Sequence, residues 1–167
     1  VIYNYLPITN VTISINMSGD RGCALYNQFY AGDIDLVNTT VIGNSAVEGG
    51  GVYGYPVFAA TPQGHYTEIF LDNTLIASNA GGNCAADGQH DLGGNFDDDG
   101  SCAGASPVAA GVDFDVNLAN NGGPTRTHAL LPGSAAIDAG AACGLTEAQR
   151  GFARDALCDS GSFELGA

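Results

Sequence analysis

The residues best suited to chemistry lie in an acidic loop with the sequence NFDDDGS (95–101). Its oxygen-bearing side chains at positions 95, 97 and 99 alternate and are followed by Gly100, which is the pattern of the first half of a calcium-binding loop. The glutamate that would complete an EF-hand is missing, so other acids nearby have to finish the coordination shell. The alternative is an acidic surface loop, clamped by a disulfide, that binds no metal. The predicted calcium ligands are Asn95, Asp97, Asp99, Asp87 and Asp91.

A second pair of carboxylates, Asp33 and Asp35, lies in the sequence GDIDL (32–36). In a strand these two side chains point to the same face and are about 7 Å apart. This separation is near the ~6.5–9.5 Å between the carboxyl groups of inverting glycosidases, so the pair is a candidate acid and base for glycoside hydrolysis. The alternative is a solvated strand edge, in which the aspartates have no catalytic role.

The excess of acidic over basic residues indicates which kinds of partner the protein binds. The chain of 167 residues has 18 acidic and 4 basic side chains and a formal net charge of -14. Nucleic acids and anionic membrane surfaces are disfavoured as partners, because both are bound through clustered positive charge. A cation such as Ca2+ is favoured. The sequence has no apolar stretch of the length that inserts into a membrane.

The five cysteines indicate the compartment. Cys84 and Cys102 bracket one loop and Cys143 and Cys158 bracket another, so we predict a disulfide within each pair. Disulfides persist in oxidising compartments, which predicts a secreted or cell-surface protein. Cys23 is left over and is predicted to be a small buried side chain. Three Asn-x-Ser/Thr sequons are either glycosylation sites or, as we favour, chance matches in an Asn- and Thr-rich chain: Asn10, Asn16 and Asn38.

An internal repeat predicts the elements that carry these residues. The segments NMSGDRGCALYN (16–27) and GNSAVEGGGVYG (43–54) lie 27 residues apart and follow the same order of polar turn, glycine, small residue and tyrosine. Each follows an alternating strand, VTISI (11–15) or NTTVI (38–42), and a third copy begins at TEIFLDNTLIASNAG (67–81). Such units bury their apolar faces by stacking, with strands that pair in parallel from coil to coil. We therefore predict an all-β parallel β-helix, or solenoid, of about three short coils over residues 1–81; an antiparallel sandwich is the alternative.

The repeat also assigns roles to positions within each coil. Asparagine at a repeated turn tolerates the left-handed conformation, and its amide can bond to the amide in the neighbouring coil. The equivalent turn residues are Asn44 and Asn79, and the predicted inward-facing residues are Ile13, Ile15, Val41 and Leu75.

No repeat is found after residue 81, and the composition changes to turn-forming and acidic residues. The last coil of a stack exposes apolar side chains and strand edges that aggregate unless they are covered. We therefore predict that residues 82–167 form loop-rich final turns and an irregular, disulfide-tied cap of the same domain.

Several segments together resemble a known group of bacterial surface proteins. They are DNTLIASNAGGNC, GGNFDDDGSC, LANNGGPTRTHALLPGSAAIDAG, QRGFAR and CDSGSFE. These segments, spread over residues 36–164, resemble the C-terminal part of choice-of-anchor Q domain proteins. The resemblance implies a right-handed parallel β-helix of the pectin-lyase-like type at a cell surface, and it implies no particular activity. The chain stops at FELGA, without the anchoring tail that usually follows this stretch in the family, so the residues do not support anchoring.

The resemblance also suggests a role for the segment NNGGPTRTHALLPGSAAIDAG (120–140). It looks like the last turns of the β-helix and their cap, in which the two prolines stop strand pairing and the apolar HALL (128–131) covers the end of the core. Ion pairs are expected to tie this cap together. The predicted cations are Arg126 and Arg150, and their predicted partners are Asp138, Asp159 and Glu164.

These observations favour a non-enzymatic protein, secreted or at the cell surface, with a structural, adhesive or self-assembling role. The first coil offers an uncovered edge to another subunit, and head-to-tail contacts of this sort build filaments. Matrix glycans are the other predicted partner. The alternative function is a carbohydrate-active enzyme or carbohydrate-binding module, with tyrosines as a sugar platform. Those tyrosines are Tyr3, Tyr5, Tyr26, Tyr30, Tyr53, Tyr55 and Tyr66.

Overall fold

The computed structural model describes residues 4–27, 32–55 and 67–166. These residues form strands and turns and contain no helix, and therefore no helix able to cross a membrane. The strands are β1 (Asn4–Thr9), β2 (Thr12–Ser14), β3 (Leu25–Asn27), β4 (Gly32–Val37), β5 (Thr40–Ile42), β6 (Val52–Gly54), β7 (Glu68–Asp72), β8 (Leu75–Ala77), β9 (Cys84–Ala85), β10 (Gly88–Asp91), β11 (Phe96–Asp97) and β12 (Ser106–Pro107).

The strands form three sheets, and the chain enters them in turn from β1 to β11. The four-stranded sheet has the order β1-β4-β7-β10, the five-stranded sheet β12-β11-β8-β5-β2, and the three-stranded sheet β3-β6-β9. Each pairing between these strands is parallel. The all-β prediction is confirmed, and the alternative of an antiparallel sandwich is wrong.

The predicted repeat appears as strand register. Tyr26 lies opposite Tyr53, the two residues that the 27-residue offset makes equivalent. At the turns between β1 and β2, β4 and β5, and β7 and β8, an asparagine with positive φ changes the chain direction. These turn residues are Asn10, Asn38 and Asn73. Asparagine suits this position because it adopts the left-handed conformation more readily than most residues.

The space between the three sheets holds the first hydrophobic cluster. Val41 and Ile76, from β5 and β8, belong to it together with Leu36 and Leu71 of the four-stranded sheet. Val41 was expected to point inward, and it does. The expectation for Leu75 was wrong, because this side chain belongs to a second cluster on the other face of β8.

Two predicted inward positions lie in the first coil. Ile13 lies opposite Val41 and on the same face, and it is half-buried. Ile15 is 62% exposed and has a φ of 59°, because it lies at a turn and not in a strand. Strand β2 therefore ends at Ser14, one residue earlier than the alternation of VTISI (11–15) predicts.

The C-terminal segment, defined here as residues 108–166, packs against the outer face of the five-stranded sheet. The second hydrophobic cluster joins Ile42 and Leu75 of that sheet to Phe114, Leu130 and Phe163 of the segment. These contacts lie along a face of the sheet, whereas the sequence suggested a position at the end of the stack. The physical reason is that β5 and β8 are apolar on both faces, so the sheet needs a second cover.

The final turns predicted after residue 81 contain three strands. Strands β9, β10 and β11 extend each of the three sheets by one strand. The disulfide between Cys84 and Cys102 joins the first hydrophobic cluster there. The last round of strands is thus covalently tied to the loop that follows it.

Polar contacts fix the C-terminal segment across successive strands of the five-stranded sheet. The Ser162 backbone N–H donates to Thr40 Oγ1 over 2.9 Å. Ser14 Oγ lies 2.7 Å from His128 Nε2, and His128 Nδ1 lies 2.9 Å from the Asp115 carbonyl oxygen. Since a carbonyl only accepts, Nδ1 carries the proton and Nε2 accepts from the Ser14 hydroxyl.

Acidification should weaken this contact. Burial lowers the pKa of His128 below its ordinary 6.5, although its bond to Asp115 opposes the shift. The stability that the neutral ring provides is therefore full above pH 6.5 and is lost as the pH falls through the folded-state pKa, by at most about 1.4 kcal/mol per pH unit. Urea unfolding at a series of pH values measures this slope. His128→Gln, which does not titrate, should have a smaller slope between neutral pH and pH ~5; equal slopes in both proteins would contradict the assignment.

A row of amides runs along one turn of the stack and is called the asparagine row. Asn16 Nδ2 donates to Asn44 Oδ1 over 2.8 Å, and Asn44 Nδ2 donates to Asn79 Oδ1 over 2.9 Å. Asn79 Nδ2 donates to Asn83 Oδ1 over 2.9 Å, and Asn83 Nδ2 donates to Asp98 Oδ1 over 2.8 Å. The expected amide contact between Asn44 and Asn79 is present. All the amides donate in the same direction, so the row has a polarity.

Candidate functional site

The outer face of the four-stranded sheet carries the strongest group of reactive side chains and is called the acidic face. Asp33 and Asp35 lie on β4, and alternation places them on the same side of the sheet. Asp35 is opposite Phe70 of β7, and Phe70 is opposite His90 of β10. The members of the acidic face are Asp33, Asp35, Glu68, Phe70, Asp72 and His90.

Burial and like charge weaken ionisation on this face. Burial raises the pKa of Asp33, and the nearby negative charge of Glu68 raises it further. Burial also raises the pKa of Asp72, with a smaller contribution from the charge of Asp35. The folded protein therefore holds protons here more firmly than a free aspartate does, which is the property required of a general acid.

Asp35 is the least accessible carboxylate of the group. It is 8% exposed and lies within the electrostatic reach of Asp33 and Asp72. Within the ranges that the structure describes, no residue donates a hydrogen bond to its carboxylate. A carboxylate only accepts hydrogen bonds, so the hydroxyl groups of a ligand are suitable partners for it.

An aromatic pair borders the carboxylates. The rings of Phe70 and His90 are stacked, with 4.4 Å between centroids and 10° between planes. His90 Nε2 lies 3.1 Å from Glu68 Oε1, which fixes the imidazole beside the acids. Flat apolar surface next to hydrogen-bonding groups is the usual composition of a small-molecule site.

Only Asp33 and Asp35 of this face were identified from the sequence. The signal for the others was present, because the segment EIFLD (68–72) follows DIDLV (33–37) at the same 35-residue offset that relates Asn44 to Asn79. Carrying that offset into the preceding strand places Glu68 beside Asp33 and Asp72 beside Val37, in the register that the structure shows.

The predicted calcium loop has a different arrangement. Asn95 Oδ1 accepts hydrogen bonds from the Thr74 N–H and hydroxyl, each over 2.8 Å. Asp97 Oδ2 accepts from the Cys102 N–H, and Asp99 Oδ1 accepts from Ser101. The oxygen atoms thus accept from backbone and hydroxyl groups of turns, while the carboxylates of Asp97 and Asp99 also lie close to each other.

The two remaining predicted calcium ligands are Asp91 and Asp87. Asp91 Oδ1 accepts from Gly93 and Asn95, while Asp87 borders a shallow cavity of about 200 Å³ beside Glu48 and Tyr53. Among residues 4–27, 32–55 and 67–166, no group of three or more His, Cys, Asp or Glu side chains is placed to hold a metal. Calcium binding stays a prediction from the sequence.

Burial and hydrogen bonds shift the pKa values of Asp97 and Asp99 in this loop. Burial raises the pKa of Asp97, against the opposing effect of backbone hydrogen bonds from Cys102 and Gly100. For Asp99, burial acts in the same direction, but hydrogen bonds from Ser101 and the Asn83 N–H together bring its pKa below the ordinary value.

Arg154, which the sequence analysis did not name, forms the buried ion pair of the C-terminal segment, and the predicted Arg150 lies in the electrostatic field of Glu164 and Asp159. Arg154 Nη1 lies 3.0 Å from Glu164 Oε2, and the two side chains are 1% and 2% exposed. Arg150 instead donates to the backbone carbonyls of Asn121 and Glu164. Arg126 is exposed in a turn.

The carboxylates of this cluster cap backbone groups as well as facing the arginine. Asp159 accepts from the N–H groups of Asp138 and Leu165, and the negative charge of Asp138 also acts on Asp159. Burial raises the pKa of both Asp159 and Glu164 and lowers the pKa of Arg154. The second disulfide, between Cys143 and Cys158, ends beside this cluster.

Two of the tyrosines predicted to form a sugar platform contact each other. Tyr26 and Tyr53 have ring centroids 5.4 Å apart and planes inclined by 35°. Tyr26 is 42% exposed, whereas Tyr53 is buried and has the Arg21 guanidinium 5.6 Å from its ring centroid. Tyr55 is half-buried just after β6. The remaining predictions lie outside the described residues or side chains: Tyr3, Tyr5, Tyr30 and Tyr66.

Two smaller predictions concern the surface. The Asn38 side chain is 1% exposed, so in the folded protein this sequon is not open to modification. Asn10 donates to the Glu147 carbonyl oxygen, and Asn16 begins the asparagine row. Cys23 is unpaired and half-buried.

The fold and the acidic face define the class of the molecule: an all-β protein of three parallel sheets, with two disulfides and carboxylates grouped on one sheet. No protein-family model, curated protein or solved structure matches the chain. The resemblance to choice-of-anchor Q domain proteins therefore stays a prediction from the sequence.

Proposed function

We propose that the three sheets are the sides of a right-handed parallel β-helix and that the protein is a structural component of a cell surface or extracellular matrix. Supporting this architecture, the chain passes through the sheets in turn and each strand pairs in parallel with the strand of the next round. The two disulfides suit an oxidising compartment and support secretion.

The main support for a structural role is the set of hydrogen bonds that the carboxylates accept. Outside the acidic face, most of the described carboxylates accept hydrogen bonds from backbone N–H groups and so build turns. The carboxylates that do this are Asp91, Asp97, Asp98, Asp99, Asp113, Asp115, Asp155, Asp159 and Glu164. Their negative charge keeps an exported protein soluble while the groups themselves hold the shape.

The acidic face favours a second candidate, a carbohydrate-active or carbohydrate-binding protein. The raised pKa of Asp33 suits a group that gives its proton to the leaving oxygen of a glycosidic bond. Asp35, two residues along the strand, would take a proton from the attacking water as that water forms the new bond to the sugar carbon. The ligand class is a neutral glycan, since the charge of -14 repels polyuronates.

One experiment separates the two candidates. The protein is incubated with neutral plant and bacterial polysaccharides, and new reducing ends and polysaccharide binding are both measured. The structural role predicts no new reducing ends. Hydrolysis predicts reducing ends whose release falls about 100-fold or more in Asp33→Asn. Asp20→Asn makes the same charge change on an exposed turn and should leave any release unaltered; equal loss in both variants would rule out the acidic face.

A further inference from the structure

The turn between β4 and β5 contains a buried amide without hydrogen bonds. The Asn38 side chain is 1% exposed, and within the described residues neither its Nδ2 nor its Oδ1 has a partner. Its backbone is bonded, because the Asn38 N–H donates to the Asp72 carbonyl over 2.9 Å. A buried amide without partners is costly, so such groups in folded proteins are nearly always bonded to protein or to ordered water.

The equivalent asparagines on either side are bonded to the C-terminal segment. Parallel register places the turn of Asn38 between the turns of Asn10 and Asn73. Asn10 Nδ2 donates to the Glu147 carbonyl oxygen over 3.0 Å. Asn73 Nδ2 donates to the Ala142 carbonyl oxygen over 3.0 Å. Among these three described turns, the middle one is therefore the one whose amide has no partner in the protein.

The C-terminal segment crosses the stack over this amide. Arg154 Nη2 donates to Asn10 Oδ1 over 3.4 Å and to the Gly161 carbonyl oxygen over 2.7 Å. The Gly161 N–H donates to the Asn73 carbonyl oxygen over 2.8 Å. Gly161 therefore bridges the two outer turns and lies over the middle one. Two side-chain atoms of this crossing are also buried without partners in the described chain: Arg154 Nε and Ser160 Oγ.

The groups around Asn38 select a small neutral molecule that both donates and accepts hydrogen bonds. Its Nδ2 needs an acceptor, and its Oδ1 needs a donor. A cation is disfavoured beside the Arg154 guanidinium, and an anion is disfavoured by the buried carboxylates that face it, Asp159 and Glu164. Water meets these requirements, and a buried water typically makes about three bonds to otherwise unpaired polar groups.

We propose that the turn between β4 and β5 is a binding site for internal water, which pairs with the Asn38 amide and joins it to Arg154 Nε and Ser160 Oγ. The C-terminal segment is then held at successive turns, directly at Asn10 and Asn73 and through water at Asn38. A water-mediated bond is nearly as favourable in enthalpy as a direct one. The inference depends on strand register and on the cover by the segment, and it does not depend on the proposed structural role.

Nuclear Overhauser spectra between water and the isotope-labelled full chain test the proposal. The Asn38 Nδ2 hydrogens should give water cross-peaks with NOE and ROE of opposite sign, which marks a water that stays bound longer than the protein takes to tumble. Asn79 is the matched control, because it is buried and its Nδ2 donates to the Val41 carbonyl and to Asn83 Oδ1. Its side-chain hydrogens should show no such peak. A resolved Asn38 signal without a water peak overturns the proposal.

A matched pair of glycine variants gives an independent measurement. Asn38→Gly and Asn73→Gly each keep a left-handed turn, with φ of 47° and 53° in the native chain, and each remove a buried amide. If water bonds the Asn38 amide, the two variants should lower the urea midpoint by similar amounts. If that amide is unpaired, its removal relieves a buried polar group. An unchanged or higher midpoint for Asn38→Gly, beside a lower one for Asn73→Gly, overturns the proposal.

Discussion

Replacing Arg154 by methionine should lower the free energy of unfolding by about 3–5 kcal/mol. The methionine fills a similar volume but leaves the Glu164 carboxylate buried without its cation, and Asp159 lies in the same electrostatic field. The Asp159 and Gly161 carbonyl oxygens also lose the guanidinium donors, at 2.9 Å and 2.7 Å. Urea unfolding at neutral pH measures the change.

The matched control is Arg21→Met, which breaks an ion pair of the same 2.9–3.0 Å length. The Arg21 and Glu48 side chains are 48% and 51% exposed, so water replaces the lost contact and the loss of stability should be much smaller than for Arg154→Met. If the two variants lose equal stability, burial is not what makes the Arg154 pair important. The double variant Arg154→Met with Glu164→Gln should recover part of the loss, because it removes the uncompensated charge.

The register of the sheets was predictable because it depends on short-range repetition. A turn asparagine and a tyrosine recur in each coil, and stacking brings equivalent residues together whatever happens elsewhere in the chain. The position of the C-terminal segment was not predictable in this way. In β5, Val41 and Ile42 point to opposite faces, and both are buried. An apolar residue on each face does not reveal from the sequence which face meets its own coil and which meets a distant segment.

Arg154 was not identified from the sequence for a related reason. Arg150 and Arg154 occur in one short stretch, QRGFARD (149–155), and both are near acids in sequence. Which guanidinium reaches Glu164 depends on how this stretch lies on the sheet, and Arg150 is held over the Phe163 ring, 3.8 Å from its centroid. Long-range contacts also explain why the acidic face and the acidic loop (95–101) have different neighbours. Asp33 and Asp35 gain neighbours from β7 through sheet register, whereas the acids at 97–99 turn to nearby backbone groups.

The asparagine row should be the other position with a large effect on stability, and Asn79→Ala is its sharpest test. Asn79 Oδ1 accepts from both the N–H and the Nδ2 of Asn44, and Asn79 Nδ2 donates to the Val41 carbonyl and to Asn83 Oδ1. Because Asn44 and Asn83 are also buried, the alanine leaves several polar groups without partners or water. At about 1–3 kcal/mol for each unsatisfied group, we expect a loss of at least about 3 kcal/mol in urea unfolding.

The control is Asn16→Ala, which makes the same substitution at an exposed position of the asparagine row. Asn16 is exposed at the open end, so water reaches the groups that the substitution frees, and the loss should be about 1 kcal/mol or less. A gradient from Asn79 to Asn16 would show that the row stabilises the stack through buried amides. Equal small losses at both positions would mean that strand pairing alone sets the stability of the stack.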